Sequence, residues 1–223
     1  MLMTALVLGA CGGSTKAAST KKIDPVADRA LAHAAVLTGA DLSGYTANLF
    51  KKSGDIPESA IKQFAKCTNV GVTIFDDTPG AQAVHSPDFD KDRVSLSSSV
   101  QIDPTQSNVD EVWNGIRTAG VEPCLQRLLQ AALKAAAPIG VKLGDTTLTK
   151  FKVGVGNRSV GYAATMSTSS HGGHLALYVD LLFVARNRAR IDLTAFSDGL
   201  PFDRATEIAL TRTMYDRIGT KAR

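Results

Sequence analysis

Hydrophobic and polar positions alternate most clearly over residues 93–102. Val94, Leu96, Val100 and Ile102 alternate with Ser95, Ser97, Ser99 and Gln101. That is the two-residue period of a strand with one buried and one wet face. The serines then read as a solvated strand face rather than an array of nucleophiles. The period lengthens over residues 107–119, where Val109, Val112, Trp113 and Ile116 recur at helical spacing, with Asp110 and Glu111 near the N-terminus. A second helix follows over 121–136, burying Leu125, Leu128, Leu129, Ala132 and Leu133, with Pro138 and Gly140 to stop it. Two helical stripes precede them. The first, over 25–37, carries Val26, Ala27, Ala30, Leu31, Ala34 and Leu37, with Gly39 placed to end it. The second, over 55–66, has Pro57 in its first turn and Ile61, Phe64 and Ala65 facing inward. Residues 70–75 read as a strand, and 76–92 as a polar loop containing Pro79, Gly80 and Pro87.

The last third reads as a strand meander over 148–155, 159–167, 174–186 and 190–197, closed by a helix from Pro201 to Ile218 that buries Ile208, Leu210, Met214 and Ile218. A tight loop at 187–189 sets Arg186 opposite Arg190. In that register Leu177, Val179, Leu181 and Phe183 share a face with Ile191, Leu193 and Ala195. Tyr178, Asp180, Asp192 and Phe196 take the other face. Short hairpin links dictate antiparallel pairing. The fold class is α+β, a twisted antiparallel sheet with helices packed on it. No repeat and no second domain is visible.

The opening stretch adds an address. Residues 2–10 are uncharged and largely apolar. They are too few to span a bilayer as a helix, which needs roughly 20 residues, but they suit a secretory apolar region followed by small residues. Leu8-Gly9-Ala10-Cys11 resembles the lipobox of bacterial lipoproteins. It implies a cut before Cys11 and a diacylglyceryl group on its thiol. Residues 1–10 are then a signal-peptide remnant, 11–25 a lipidated flexible tether opening on Gly12-Gly13-Ser14, and 26–223 the folded domain. No Lys or Arg precedes Lys16, so the natural start is expected upstream of Met1.

Composition narrows the classes. Charged residues make up 21% and hydrophobic ones 44% of 223 residues, which is ordinary for a globular chain. The net charge of +4 is spread without a dense basic block, so nucleic acid is not an expected partner. With Cys11 taken by lipid, Cys67 and Cys124 remain. An even pair in an exported domain reads as a disulfide, with two buried free thiols as the alternative.

Candidate chemistry is sparse. His171 and His174 flank Gly172-Gly173. They lack the further ligands zinc needs and read as a hairpin loop. The glycines at 154, 156 and 161 fit neither a nucleophile elbow nor a dinucleotide loop, and read as a turn. Asp76-Asp77 reads as a solvated loop, with a calcium ligand pair as the lesser reading. Asp180 sits in an otherwise apolar strand and needs a partner, Arg190 or another arginine, unless it lines a cleft with Asp192. No metal or other cofactor is expected.

Several segments together resemble a family. They are Val36-Leu37-Thr38 with Asp41-Leu42-Ser43-Gly44-Tyr45, then Phe64-Ala65-Lys66-Cys67, and Pro123-Cys124-Leu125. Residues 178–184, Ile191-Asp192-Leu193 and Pro201-Phe202-Asp203 agree with them. They are similar to the sensor-domain-type lipoproteins of actinobacteria, to the extracellular sensor domains of mycobacterial Ser/Thr kinases and to the wider PsbP-like fold. The resemblance implies an antiparallel sheet flanked by helices, a cell-envelope location and no demonstrated chemistry. With the lipobox, the exported domain is expected as a monomer on the outer face of the cell membrane, held there by its lipid. The expected function is a non-catalytic binding or sensor domain for a protein or envelope component. A carrier of a lipid or other apolar ligand, with a cleft beside the sheet, is the alternative, and a hydrolase is a third reading. Cys11→Ser should release the protein from membranes in cell fractionation; continued retention would refute the anchor.

Overall fold

The computed structural model describes residues 23–49, 57–68, 78–118, 120–137, 141–170 and 173–219. Cys11 and its tether up to Lys22, the strand expected at 70–75, Asp76-Asp77 and His171 lie outside the described residues. The order of elements is α1 (Pro25–Ala35), a 3-10 turn (Gly39–Asp41), β1 (Thr46–Asn48), α2 (Glu58–Thr68), β2 (Gln82–His85), β3 (Asp88–Lys91) and β4 (Val94–Ile102). Then come α3 (Gln106–Arg117), α4 (Val121–Ala136), β5 (Lys142–Phe151), β6 (Ser159–Ser170), β7 (Gly173–Arg186), β8 (Ala189–Asp198) and α5 (Arg204–Ile218).

These strands form one antiparallel sheet in the order β1-β3-β4-β8-β7-β6-β5, with β2 also paired to β4. The sheet is twisted and helices pack on it, as the patterning predicts; they lie on both faces. β2 and β3 fall within the stretch expected to be a polar loop. They are short strands laid along β4, in register Val84↔Val100 and Phe89↔Leu96. Between them Ser86 is buried. Its backbone N–H donates to Ser98 O at 2.9 Å, and its Oγ accepts from Ser98 N at 2.9 Å. The ladder to β4, not local propensity, makes these residues extended.

The hairpin between β7 and β8 departs from the expected register. Its loop is two residues, Asn187 and Arg188, and Arg186 pairs with Ala189 rather than Arg190. Asn187 takes φ 51°, a left-handed conformation that asparagine tolerates and a tight hairpin needs. One residue of slip exchanges the faces of β7 relative to β8. Leu182 and Val184 therefore share a face with Ile191, Leu193 and Ala195, while Leu181 and Phe183 go with Asp192 and Thr194. Asp180 and Asp192, expected on one face, stand on opposite faces.

α1 and α5 cover the first of these faces. Ala32 and Ala35 pack with Leu96, Val100, Leu182, Ile191, Leu193, Met214 and Ile218. The buried positions of α1 are Asp28, Ala32 and Ala35, whereas Val26, placed inward by the apolar stripe, is 80% exposed. Small alanines let α1 approach the sheet closely, and a charge pair described below holds Asp28 inward. α1 ends at Ala35, and Gly39 opens the following 3-10 turn instead of closing the helix.

α2, α3 and α4 cover the second face. Val109, Val112, Trp113 and Ile116 of α3 join Leu125 and Leu128 of α4, Phe64 of α2, and Val160, Tyr162 and Ala185 of the sheet. The buried Tyr162 hydroxyl donates to Ile116 O at 2.6 Å, which satisfies its one polar atom. Cys67 and Cys124 form a disulfide with Cα atoms 5.9 Å apart, fastening α2 to α4. The bridged cysteines are 57 positions apart, and closing a loop of that length stabilises the fold by roughly 4 kcal/mol on the chain-entropy model. The Cys67→Ser, Cys124→Ser double variant should lose about 2–4 kcal/mol in a denaturant titration. Thiol labelling of unfolded, unreduced protein should leave Cys67 and Cys124 unmodified, and labelling at either would refute the bridge.

Candidate functional site

Three polar constellations lie in or beside the sheet. The first joins the end of β4 to the β7–β8 hairpin. Arg190 is buried on the α3 face and grips Asp103 with two hydrogen bonds, Nε to Oδ2 at 2.7 Å and Nη2 to Oδ1 at 3.1 Å. Gln101 adds a bond to Asp103 Oδ1 at 2.8 Å, and Arg190 Nη2 reaches the Thr78 hydroxyl at 3.3 Å. Asp103 is fully buried, so the paired geometry and the extra donors are what make its charge tolerable. Two residues earlier, Arg188 donates to the Asp103 carbonyl at 2.7 Å and takes Asp28 of α1 bidentately at 2.7 and 2.9 Å. The hairpin tip thus ties β4 to α1.

The second is a row of side chains across β2, β4 and β8. His85 pairs with Ser99 and Ser99 with Asp192, so all three project toward the α3 face. A serine, a histidine and an aspartate therefore do converge, which no spacing in the chain discloses. Their order does not match a nucleophilic triad, in which the imidazole stands between the carboxylate and the hydroxyl. Here Ser99 is the middle member, and its Oγ donates straight to Asp192 Oδ2 at 3.1 Å. Burial raises the Asp192 carboxyl above the usual carboxylate range, while Arg190, the Ser99 hydroxyl and His85 pull it back. Half-buried Ser95, Ser97 and Thr194 continue this polar face along β4 and β8. The face is less wet than the alternation alone suggests.

The third lies under α5. Asp180 is buried on β7 and accepts from Arg204 Nη2 at 3.1 Å; its partner is this arginine, while Arg190 is engaged with Asp103. Glu207, one turn further along α5, is fully buried. Arg204 Nε lies 3.0 Å from its Oε2 but off the hydrogen-bond axis, and neither carboxyl oxygen has an in-line donor among the described residues. A proton on Glu207 resolves this, since it turns an acceptor into a donor toward Asp180. Burial first, and then Asp180, push the Glu207 carboxyl up to about 8. The Arg204 guanidinium lies 3.4 Å over the centroid of the Phe151 ring. That ring in turn crosses Gly161, where any Cβ would overlap it. Sequence reasoning singled out Asp180 and missed Glu207, whose helical spacing from Arg204 is an ordinary surface pattern.

The enclosed space beneath the second helical face is small. The cavity beneath α3, bounded by Val112, Trp113, Phe183, Arg190 and Asp192, measures about 20 Å³. That is room for about one water. No group of three or more metal-ligating side chains occurs among the described residues.

No family model matches the chain, and no curated protein matches it. Among solved structures, the extracellular domain of PknH from Mycobacterium tuberculosis is similar. The sequence identity is 9% and the TM-score 0.40, with 85% of this chain and 95% of that one covered. None of the residues described above is assigned a role from it.

The folded protein keeps the Glu207 proton up to about pH 8, whereas an unfolded chain releases it near 4.5. Folding therefore takes up a proton between those values, and the stability this group contributes is lost as pH rises through the window. The melting temperature should fall by roughly 5 °C or more between pH 5 and 9. Glu207→Gln, which keeps the donor and cannot ionise, should flatten that slope. An unchanged slope in the variant would show that Glu207 is not the group responsible.

Proposed function

We propose that the chain is a cell-envelope lipoprotein whose folded domain recognises another protein or an envelope component at its surface, without chemistry of its own. The observation that carries this reading is the close packing of the described helices on the sheet. Both faces of the sheet are packed against helices, and the cavity beneath α3 is about 20 Å³. Pockets for small apolar ligands span roughly 300–1,000 Å³. An acyl chain has no room there, so the packing favours surface recognition over carriage of a lipid.

The charges point the same way. Arg188, Arg190, Arg204 and Arg217 are each joined to a carboxylate that ties two elements together: Asp28, Asp103, Asp180 and Asp41. Groups committed to structural pairs are not poised for proton transfer. Ser99 donates its hydroxyl hydrogen to Asp192 directly, without an imidazole between them. No described helix is long and apolar enough to cross a membrane. In the proposed arrangement the exported domain is held at the outer face of the membrane by lipid on Cys11, with residues 11–25 as the leash.

Native protein recovered from the envelope by mild crosslinking and analysed by mass spectrometry should carry a discrete protein or envelope glycan. It should hold no noncovalent lipid in a fixed ratio. One bound lipid per chain would overturn surface recognition in favour of carriage.

A further inference from the structure

At one end of the sheet the β5–β6 loop, the β7–β8 turn, the start of α3 and the end of α5 enclose an open cleft of about 360 Å³. Gln106, Asn157, Arg158, Arg186, Asn187 and Tyr215 line it. Three primary amides, two guanidinium groups and a phenol make this wall unsuited to an apolar ligand. The same groups offer both donors and acceptors to a hydroxylated one.

The cleft is built, not incidental. Arg186 lies 4.3 Å over the centroid of the Tyr215 ring, and its Nη1 donates to the Tyr215 carbonyl at 2.8 Å. Both contacts fix the plane of the guanidinium. Gly156 takes φ 63°, and a Cβ there would stand 2.7 Å from the Tyr215 ring, so the β5–β6 loop is clamped onto the same tyrosine. The walls are therefore set before any ligand arrives, which lowers the ordering cost of binding.

Charge decides the class of ligand. Arg158 is answered by Asp110, which Gln106 also holds at 2.9 Å. Arg186 makes no ion pair among the described residues. In this it differs from Arg188, Arg190, Arg204 and Arg217, each of which has its own carboxylate. With Asp110 offsetting Arg158, the cleft keeps about one unbalanced positive charge, on a fixed planar fork suited to two oxygens of one anion.

We propose that this cleft binds a small acidic ligand, a phosphate or carboxylate borne on a hydroxylated, sugar-like body, with Arg186 taking the oxyanion and the amides of Gln106, Asn157 and Asn187 taking the hydroxyls. The assignment rests on the reading of the chain as a binding domain and names a ligand class for it.

The test is titration of the full, isotope-labelled chain with glucose 6-phosphate, inorganic phosphate and glucose, followed by amide NMR. Glucose 6-phosphate should shift the signals of Asn157, Arg158 and Asn187. Inorganic phosphate should shift the same signals more weakly, and glucose should leave them in place. Arg186→Gln should weaken the sugar phosphate roughly ten- to hundredfold, as loss of a charge-assisted hydrogen bond does. Should that variant fail to fold, Asn157→Asp places a negative charge on an exposed loop residue and should give the same loss. Equal shifts with glucose, no shifts with glucose 6-phosphate, or undiminished binding in the variants would overturn the cleft assignment. Any of these beside an intact crosslinked envelope partner would overturn this assignment alone and leave surface recognition standing.

Discussion

The register of the β7–β8 hairpin is the constraint on which the rest of the arrangement depends. A two-residue loop with Asn187 in a left-handed conformation sets Val184 against Ile191 and Leu182 against Leu193. Those four side chains form the centre of the face that α1 and α5 cover. The same register turns Arg190 to the opposite face, where Asp103 receives it, and leaves Arg188 at the tip to reach Asp28. One residue of slip would bury Asp192 and Thr194 under α5 and turn Ile191 and Leu193 to the polar face. Apolar burial and ion pairing thus select the same register. That agreement between levels is what gives a sheet one structure rather than several.

Ionic groups inside this fold act chiefly as joints. A buried pair gains little net stability, because desolvation offsets most of its attraction, but removing one partner leaves an uncompensated charge. The pairs Arg190–Asp103, Arg188–Asp28 and Arg217–Asp41 each join elements far apart in sequence. They penalise wrong dockings more than they stabilise the right one. Asp180 and Glu207 differ, since two acids face one arginine there. A proton held by Glu207 removes the repulsion, so this joint alone among them loosens as the solution becomes alkaline.

Much of this was legible in the chain, for physical reasons that also mark where legibility ends. The strand at Val94–Ile102 and the helices at Gln106–Arg117 and Val121–Ala136 announce themselves because each buries one face and wets the other. The Cys67–Cys124 bridge follows from cysteine count and the expectation of export. The short strands β2 and β3 are hidden, because a proline lies between them and their extended form comes from the ladder to β4. The inward face of α1 was misjudged because Asp28, not Val26, is drawn inside, and only a distant arginine explains that. Asp180 could be recognised as needing a partner, but the choice among many arginines is a matter of tertiary geometry. The row of His85, Ser99 and Asp192 was invisible, as it is created by pairing three strands far apart in sequence.

The distribution of polar groups separates architecture from recognition. Where a charge lies under a helix or between strands, its counter-charge lies with it, and the site has little to offer a ligand. At the open end of the sheet the accounting differs. Arg186 is held by a carbonyl and an aromatic face, which orient a guanidinium without neutralising it. A fold that needed Arg186 only as a joint would be served by a carboxylate, as at Asp28 or Asp103. Gly156 would likewise be unnecessary if the loop stood clear of Tyr215. A fixed loop, a stacked cation and a guanidinium with no ion pair among the described residues are the features on which the proposed anion site rests. The cavity beneath α3 is small, so in the proposed reading this open end, rather than the core, is where a ligand would sit.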